Sequence, residues 1–133
     1  MSVDPAAITE RFEGTLGDLL GIRFVEATPD RVVAELTYRA DLTTIGGSLH
    51  GGTLMAFADT VGAAATVLNL PPGASTTTLE SKTNFFAAGR GGTVRAESTP
   101  LHRGRRTMVW QTRVTDAGGR LLSLTIQTQM VLT

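Results

Sequence analysis

The first apolar residues of the chain recur at helical spacing. Asp4 followed by Pro5 is a typical N-cap with proline at the first helical position, and Gly21 is a typical helix stop. The pattern predicts one amphipathic helix that packs on the outside of the fold. Its apolar positions are Ile8, Phe12, Leu16, Leu19 and Leu20.

Alternating apolar and polar residues predict strands in most of the remaining chain. Residues 22–25 and 32–38 form two strands joined by a turn at 28–30. Four more strands follow in the second half, at residues 75–86, 94–101, 108–114 and 122–132. In the last strand the even-numbered residues are predicted to form one apolar face, made of Leu122, Leu124, Ile126, Thr128, Met130 and Leu132.

Between these two groups of strands, residues 49–68 are apolar on nearly every side. They predict a long helix, with Ser48 as a candidate N-cap, that ends before the Pro-Pro-Gly of residues 71–73. A helix of this kind must be surrounded. The simplest arrangement is one curved antiparallel sheet wrapped around the helix. A single sheet covers only part of a helix, so a second chain is expected to cover the rest.

Composition fits one domain spanning residues 1–133, because 41% of the residues are hydrophobic and 18% are charged. Twelve basic and twelve acidic residues cancel, which gives no electrostatic reason to expect nucleic acid or a membrane as partner. The absence of cysteine excludes disulfides and thiolate chemistry and suits the cytoplasm. Residues 1–5 lack the features of a secretion signal. Neither histidine has a ligand at zinc-like spacing, so no metal is expected.

The most informative residue is Asp59, because it is the only ionisable side chain between His50 and Glu80. A carboxylate in an apolar helix needs hydrogen bonds or a function to compensate its lost hydration. Upstream, Gly51 and Gly52 place flexible backbone at the expected start of the same helix. A helix start offers free N–H groups and a partial positive charge. The segment thus combines a group that can polarise a carbonyl with an isolated acid.

The chain resembles the hotdog-fold acyl-CoA thioesterases, in particular the 4-hydroxybenzoyl-CoA and phenylacetate-degradation branch. The resemblance rests on the element order and on the His-Gly-Gly of residues 50–52 with Asp59 nine positions after His50. It extends to residues 78–86, which look like the family's third strand, and to 102–106, which look like its basic hairpin. It implies an α+β hotdog fold: about six antiparallel strands wrapped around a long central helix, with an N-terminal amphipathic helix.

The resemblance implies thioester hydrolysis to a free acid and CoA. The Gly51 N–H would polarise the thioester carbonyl, while Asp59 would either attack it or activate water. His50 either donates to the leaving thiolate or simply caps the helix. Nine helical residues separate Asp59 from His50 by about 13 Å and place them on opposite sides. Two chains related by a two-fold axis can bring these groups together, and the resemblance implies such a dimer interface.

Further site residues come from the same resemblance. A hydroxyl on the third strand, Thr77 in preference to Thr78, would reach the catalytic site, and Gly52 would contact the substrate. Thr44 stands where the family often has an Asn or Gln that helps to position the nucleophilic water or the carbonyl. Threonine is shorter and lacks the amide donor. Thr44 is therefore either a substrate-binding residue or simply a loop residue. The CoA phosphates would be bound by Arg90, Arg103, Arg105 and Arg106.

Two other functions stay open at this point. Hydratase or dehydratase chemistry on acyl thioesters occurs on the same fold, with a catalytic His and an acid but without the His-Gly-Gly spacing. A non-catalytic acyl-CoA-binding protein is the second alternative. In each case CoA arrives as part of the substrate, no separate cofactor is implied, and a homodimer is the minimal unit, with a homotetramer as the expected assembly.

Overall fold

The computed structural model describes residues 2–133, which form three α-helices, a short 3-10 turn and six β-strands. The helices are α1 (Pro5–Arg11), α2 (Leu16–Leu19) and α3 (Gly51–Val67), and the 3-10 turn is Ala40–Leu42. The strands are β1 (Arg23–Thr28), β2 (Arg31–Thr37), β3 (Ser75–Phe85), β4 (Thr93–Arg103), β5 (Thr107–Thr115) and β6 (Leu121–Leu132). The predicted element order is confirmed, and each predicted strand lies within a few residues of its observed bounds.

All six strands belong to one antiparallel sheet in the order β1-β2-β4-β5-β6-β3. The sheet curves around α3, which contacts β2, β4, β5, β6 and β3. The two edges of the sheet are therefore β1 and β3. Strand β3 is 11 residues long and exposed along most of its length, so its outer backbone groups form a long unpaired edge.

The core lies between α3 and the concave face of the sheet. On the helix side Phe57 and Val61 are fully buried, and on the sheet side Trp110 and Leu122 are equally inaccessible. Burial of these large side chains is the main favourable contribution to folding. Within residues 2–133, no helix is long and apolar enough to cross a membrane.

The N-terminal helix differs from the prediction because it is interrupted. Asp4 caps α1 as predicted and its side chain accepts from the N–H of Ala6, but the helix ends at Arg11. Gly14 then adopts a positive φ of 79°, which a helix cannot contain. The chain restarts in α2, where Leu19 is 71% exposed instead of buried. The apolar residues keep their helical spacing across this break, so their periodicity alone predicted one continuous helix.

The face of β6 that is buried against the helix is largely polar. Thr125, Gln127 and Gln129 face the helix and are at most 1% exposed, whereas Ile126 is 36% exposed on the other face. The sequence predicted a face of even-numbered residues but did not say which face of β6 meets the helix. Buried polar side chains are tolerated where they find hydrogen-bond partners, and the partners of Gln127 and Gln129 lie on α3 and β3.

Candidate functional site

Asp59 lies on the face of α3 that the sheet leaves uncovered. Residues 57, 58 and 61 face the core, whereas Asp59 is half-buried and Met55 and Val67 are exposed along the same side of the helix. The isolated acid of the apolar helix is therefore only partly buried. The carboxylate keeps one side open, as a group that must meet a substrate requires, while its surroundings remain partly desolvated.

Two side chains from the sheet hold one oxygen of this carboxylate. Oδ1 of Asp59 accepts from the Thr78 hydroxyl at 3.1 Å and from Nε2 of Gln127 at 3.1 Å. Among residues 2–133, Oδ2 accepts no hydrogen bond. The carboxylate is thus fixed through one oxygen and presents the other.

Gln127 and Gln129 did not stand out in the sequence. The signal that could have found them is the run of polar residues at odd positions of β6. Gln129 connects to the same site, because its Oε1 accepts from Thr78 and its Nε2 donates to Oγ1 of Thr76 at 3.3 Å. A polar run opposite an isolated acid is the pattern that could have identified them.

The start of α3 is organised by His50. Its Nδ1 accepts from the N–H of Gly52 at 2.7 Å, so His50 and not Ser48 is the N-cap. An Nδ1 that accepts leaves the ring proton on Nε2, which remains a donor on an exposed side chain. A Cβ on Gly52 would come within 2.9 Å of Nδ1, which explains the glycine there. Within residues 2–133, the N–H of Gly51 has no hydrogen-bond partner.

The predicted register of β3 is corrected by one residue. Thr78 pairs with the buried Gln129 and faces the helix, whereas Thr77 pairs with Met130 on the opposite face of the sheet. Thr78 therefore occupies the position that the sequence assigned to Thr77. Thr44 lies in an exposed loop, where its N–H donates to the carbonyl of Ser48 at 2.9 Å.

The four candidate arginines lie in different surroundings. Arg103 is engaged within the chain, because its Nη1 donates to Asp30 at 2.7 Å and contacts Asn69 at 3.3 Å. Arg105 and Arg106 lie in the exposed β4–β5 turn, and within residues 2–133 neither guanidinium group has a hydrogen-bond or ion-pair partner.

Arg90 lies at the other end of the sheet. Its Nη1 donates to the carbonyl of Gly46 at 3.0 Å. It lines an open cavity of about 490 Å³ together with Asp116 and Arg120. Arg120 is a second cation at this place that the sequence did not indicate.

A second cavity, of about 500 Å³, is an apolar groove between α1 and α3. Ala63, Ala64 and Val67 form its floor, and Phe12 contributes to the opposite wall. Ala63 follows Asp59 by one helical turn on the exposed side of α3. The groove therefore begins one turn from the carboxylate and leads away from it.

One chain does not bring the two halves of the predicted centre together. Gly51 lies against the ring of Phe85, since a Cβ on Gly51 would stand 3.2 Å from Cζ of that ring. Asp59 instead contacts Thr78, seven residues earlier on the same strand. At about 3.3 Å per residue, these two points of β3 are about 23 Å apart.

Comparison with known proteins agrees with this architecture. Residues 46–123 match the family model described as the thioesterase superfamily. The 1,4-dihydroxy-2-naphthoyl-CoA hydrolase of Escherichia coli is 32% identical over 115 residues, which cover 86% of this chain and 85% of that protein. A putative esterase of Mycobacterium tuberculosis is 30% identical over 122 residues, 90% of this chain and 84% of the relative.

Solved structures give the same picture at the level of the backbone. A thioesterase from Haemophilus influenzae superposes with a TM-score of 0.95 at 26% identity, covering 100% of this chain and 93% of that one. This likeness, together with the family match, confirms the predicted hotdog fold.

Proposed function

The chain belongs to the thioesterase superfamily and is a thioester hydrolase, and from that premise we propose that it cleaves an acyl-CoA to the free acid and CoA. The observation that carries the proposal is the hydrogen bonding of the Asp59 carboxylate. Its Oδ1 is held by Thr78 and Gln127, and its Oδ2 is free on the uncovered face of α3. A carboxylate fixed in this way can either attack the thioester carbonyl or take a proton from an attacking water.

The start of α3 supplies the complementary group. The N–H of Gly51 and the positive end of the helix dipole would stabilise the negative charge that develops on the carbonyl oxygen. Loss of such a donor typically costs about 3–4 kcal/mol of transition-state stabilisation. His50 would donate from Nε2 to the departing thiolate. Hydrolysis is favoured over hydratase chemistry because the family model is that of thioesterases and the E. coli relative is a CoA-thioester hydrolase.

A homodimer through β3 would complete the site. The edge of β3 is long and unpaired, which makes it a template for a second β3. Antiparallel pairing about a two-fold axis near Ser81 and Lys82 would place Thr78 beside the partner subunit's Phe85. Asp59 would then meet Gly51 of the partner subunit, so each dimer would hold two sites. A homotetramer and a cytoplasmic location, predicted from the sequence, belong to the same proposal.

The groove between α1 and α3 supports an apolar acyl group. It starts one turn from Asp59, its floor is made of small and apolar side chains, and its volume of about 500 Å³ is in the range of small-molecule sites. The E. coli relative hydrolyses an aromatic acyl-CoA, so aromatic acyl-CoAs are the first substrates to try. Arg105 and Arg106, with Arg90 at the opposite end of the sheet, are the candidates for the phosphates of CoA.

The experiment that tests the activity is thiol release from aromatic and medium-chain acyl-CoAs. Asp59→Asn removes the charge but keeps the size of the side chain, and it is expected to abolish turnover while the folded structure persists. Glu13→Gln makes the same chemical change at an exposed position away from the site and serves as the matched control. Wild-type activity in Asp59→Asn would refute the role of this carboxylate.

The dimer is tested by a single introduced cysteine, because the chain has none of its own. Lys82→Cys should form a covalent dimer under mild oxidation, since residues beside a two-fold axis approach within disulfide distance. Arg23→Cys places a thiol on the other sheet edge, β1, and should remain monomeric in a denaturing gel. Crosslinking at residue 23 and not at residue 82 would contradict pairing through β3.

A further inference from the structure

Gln127 combines complete burial with an unusual hydrogen-bond record. Its side chain is fully inaccessible, and Nε2 donates to Oδ1 of Asp59 at 3.1 Å. Its Oε1 finds no partner among the described residues and lies against Gly62 of α3. Nε2 of the amide therefore binds the carboxylate, whereas Oε1 is buried without a hydrogen bond.

An unpaired buried acceptor lowers stability, because it has lost its bonds to water and gained none. An apolar side chain of similar size would avoid that cost. Stability therefore does not explain a glutamine at this position, and the bond to Asp59 is the contact that requires an amide.

The orientation of the amide is set by a chain of hydrogen bonds that begins at a backbone carbonyl. The Thr76 hydroxyl donates to the carbonyl of Met130 at 2.8 Å, so its oxygen is left to accept from Nε2 of Gln129 at 3.3 Å. Because Nε2 of Gln129 points toward Thr76, Oε1 of the same amide points the opposite way. There Oε1 accepts from Thr78 and lies 3.5 Å from Nε2 of Gln127.

This order of donors and acceptors has one consistent direction. A backbone carbonyl can only accept, so it fixes the proton of Thr76 and, through it, the orientation of Gln129. With Oε1 of Gln129 facing it, Gln127 presents its NH₂ group to this oxygen and to Asp59 together. The reversed amide would place an oxygen against the carboxylate.

We propose that Gln127 is a positioning residue for Asp59, and that Thr76 and Gln129 form a relay from the carbonyl of Met130 that keeps the Gln127 amide in its donating orientation. This inference rests on the proposed function, since it concerns the carboxylate assigned to hydrolysis. It assigns Oδ2 as the oxygen that attacks or takes the proton, because Oδ1 is occupied by the amide.

Thr78 also donates to Oδ1 of Asp59, but it cannot do so at all times. Its hydroxyl has a single proton and faces two acceptors, Oδ1 of Asp59 and Oε1 of Gln129. Gln127 has two N–H protons and can supply both acceptors at once. The amide, and not the hydroxyl, is therefore the constant donor to the carboxylate.

The first test replaces Gln127 by methionine, which keeps the volume and removes every polar atom. We expect kcat to fall about tenfold or more with KM within about twofold of wild type, as for loss of a hydrogen bond to a charged group. Unfolding midpoints should be equal to or higher than wild type, because the unpaired acceptor is gone.

The second test addresses the relay without touching Gln127 or Asp59. Thr76→Val removes the hydroxyl and should lower kcat several-fold, whereas Thr76→Ser keeps it and should restore turnover. Thr112→Val is the matched control, because Thr112 is also a strand threonine whose hydroxyl donates a hydrogen bond, here to the hydroxyl of Ser98 at 3.0 Å, on the same face of the sheet but away from Asp59. Equal kcat in Thr76→Val and Thr112→Val would overturn the relay.

Asp59→Asn, measured in parallel, separates the two proposals. Lost turnover in Asp59→Asn with normal kcat in folded Gln127→Met would overturn the positioning role and leave the proposed function intact. If wild type releases no thiol from any acyl-CoA, the proposed function fails. The NMR signals of the Gln127 side-chain amide still decide the positioning role: they should shift in Thr76→Val but not in Thr112→Val, and unchanged signals in Thr76→Val overturn it.

Discussion

The amide of Gln127 on β6 and the backbone of Gly62 on α3 lie in direct contact, so that a Cβ on Gly62 would stand 2.2 Å from Oε1 and 2.6 Å from Cδ of Gln127. The helix therefore approaches the sheet closely about one turn after Asp59. A glycine inside a helix is normally unfavourable compared with alanine. Here its lack of a side chain makes room for the amide that binds the carboxylate.

Gly62→Ala is expected to destabilise the protein by about 1–3 kcal/mol, because the added methyl group overpacks a buried contact. The intrinsic preference of helices for alanine acts in the opposite direction, by about 0.5–1 kcal/mol. Denaturant unfolding measures the sum. The double variant Gly62→Ala/Gln127→Ala should be more stable than additivity predicts, since the shortened side chain gives the methyl group space. A stable, fully active Gly62→Ala would show that Gln127 can move freely.

Capping and chemistry at His50 can be separated by two substitutions. His50→Ala removes the bond from the N–H of Gly52 and should cost about 1 kcal/mol of stability together with turnover. His50→Asn provides a side-chain oxygen that can cap the helix, so stability should return. Thermal unfolding and kcat, measured on both variants, give the two effects separately.

The asparagine variant decides what His50 does beyond capping. If Nε2 donates to the leaving thiolate, kcat of His50→Asn stays low although the helix is capped. A return of kcat along with stability would reduce His50 to a structural residue.

The corrected register of β3 gives a further prediction. Thr78→Val removes a hydroxyl that contacts Asp59 and Gln129, and kcat should fall about tenfold, as expected for a lost bond to a charged group. Thr77→Val makes the same change on the outer face and should leave kcat unchanged, because β-branched residues are equally favourable in strands. Steady-state kinetics on the pair is sufficient. Equal losses in both variants would indicate that the hydroxyls act through the strand as a whole.

The sequence predicted the elements whose cause is local. The N-cap at Asp4, the helix stop at Gly21 and the apolar length of α3 depend on neighbours along the chain, and all three are confirmed. Asp59 stood out for the same reason, since an isolated carboxylate in an apolar helix is visible without a structure. Local patterns are the part of a fold that periodicity can predict.

The features that the sequence did not predict depend on contacts between distant parts of the chain. Gln127 is 68 residues from Asp59, and only the curvature of the sheet brings β6 over that turn of α3. Alternation in β6 gave the two faces correctly but not which of them faces the helix. Burial of the polar face depends on hydrogen-bond partners that α3 and β3 provide, and no pattern within β6 contains that information.

The basic turn between β4 and β5 leads to a prediction about the CoA moiety. Arg105→Gln combined with Arg106→Gln should raise KM for an acyl-CoA about fivefold, as two exposed charge contacts of up to about 0.5 kcal/mol each would give. KM for the matching acyl-pantetheine, which lacks the nucleotide phosphates, should not change. Arg103→Gln is the control: its guanidinium is committed to Asp30, so the change should cost less than about 1 kcal/mol of stability and leave KM unaffected. A rise in KM for both substrates would instead place these arginines at the acyl end of the site.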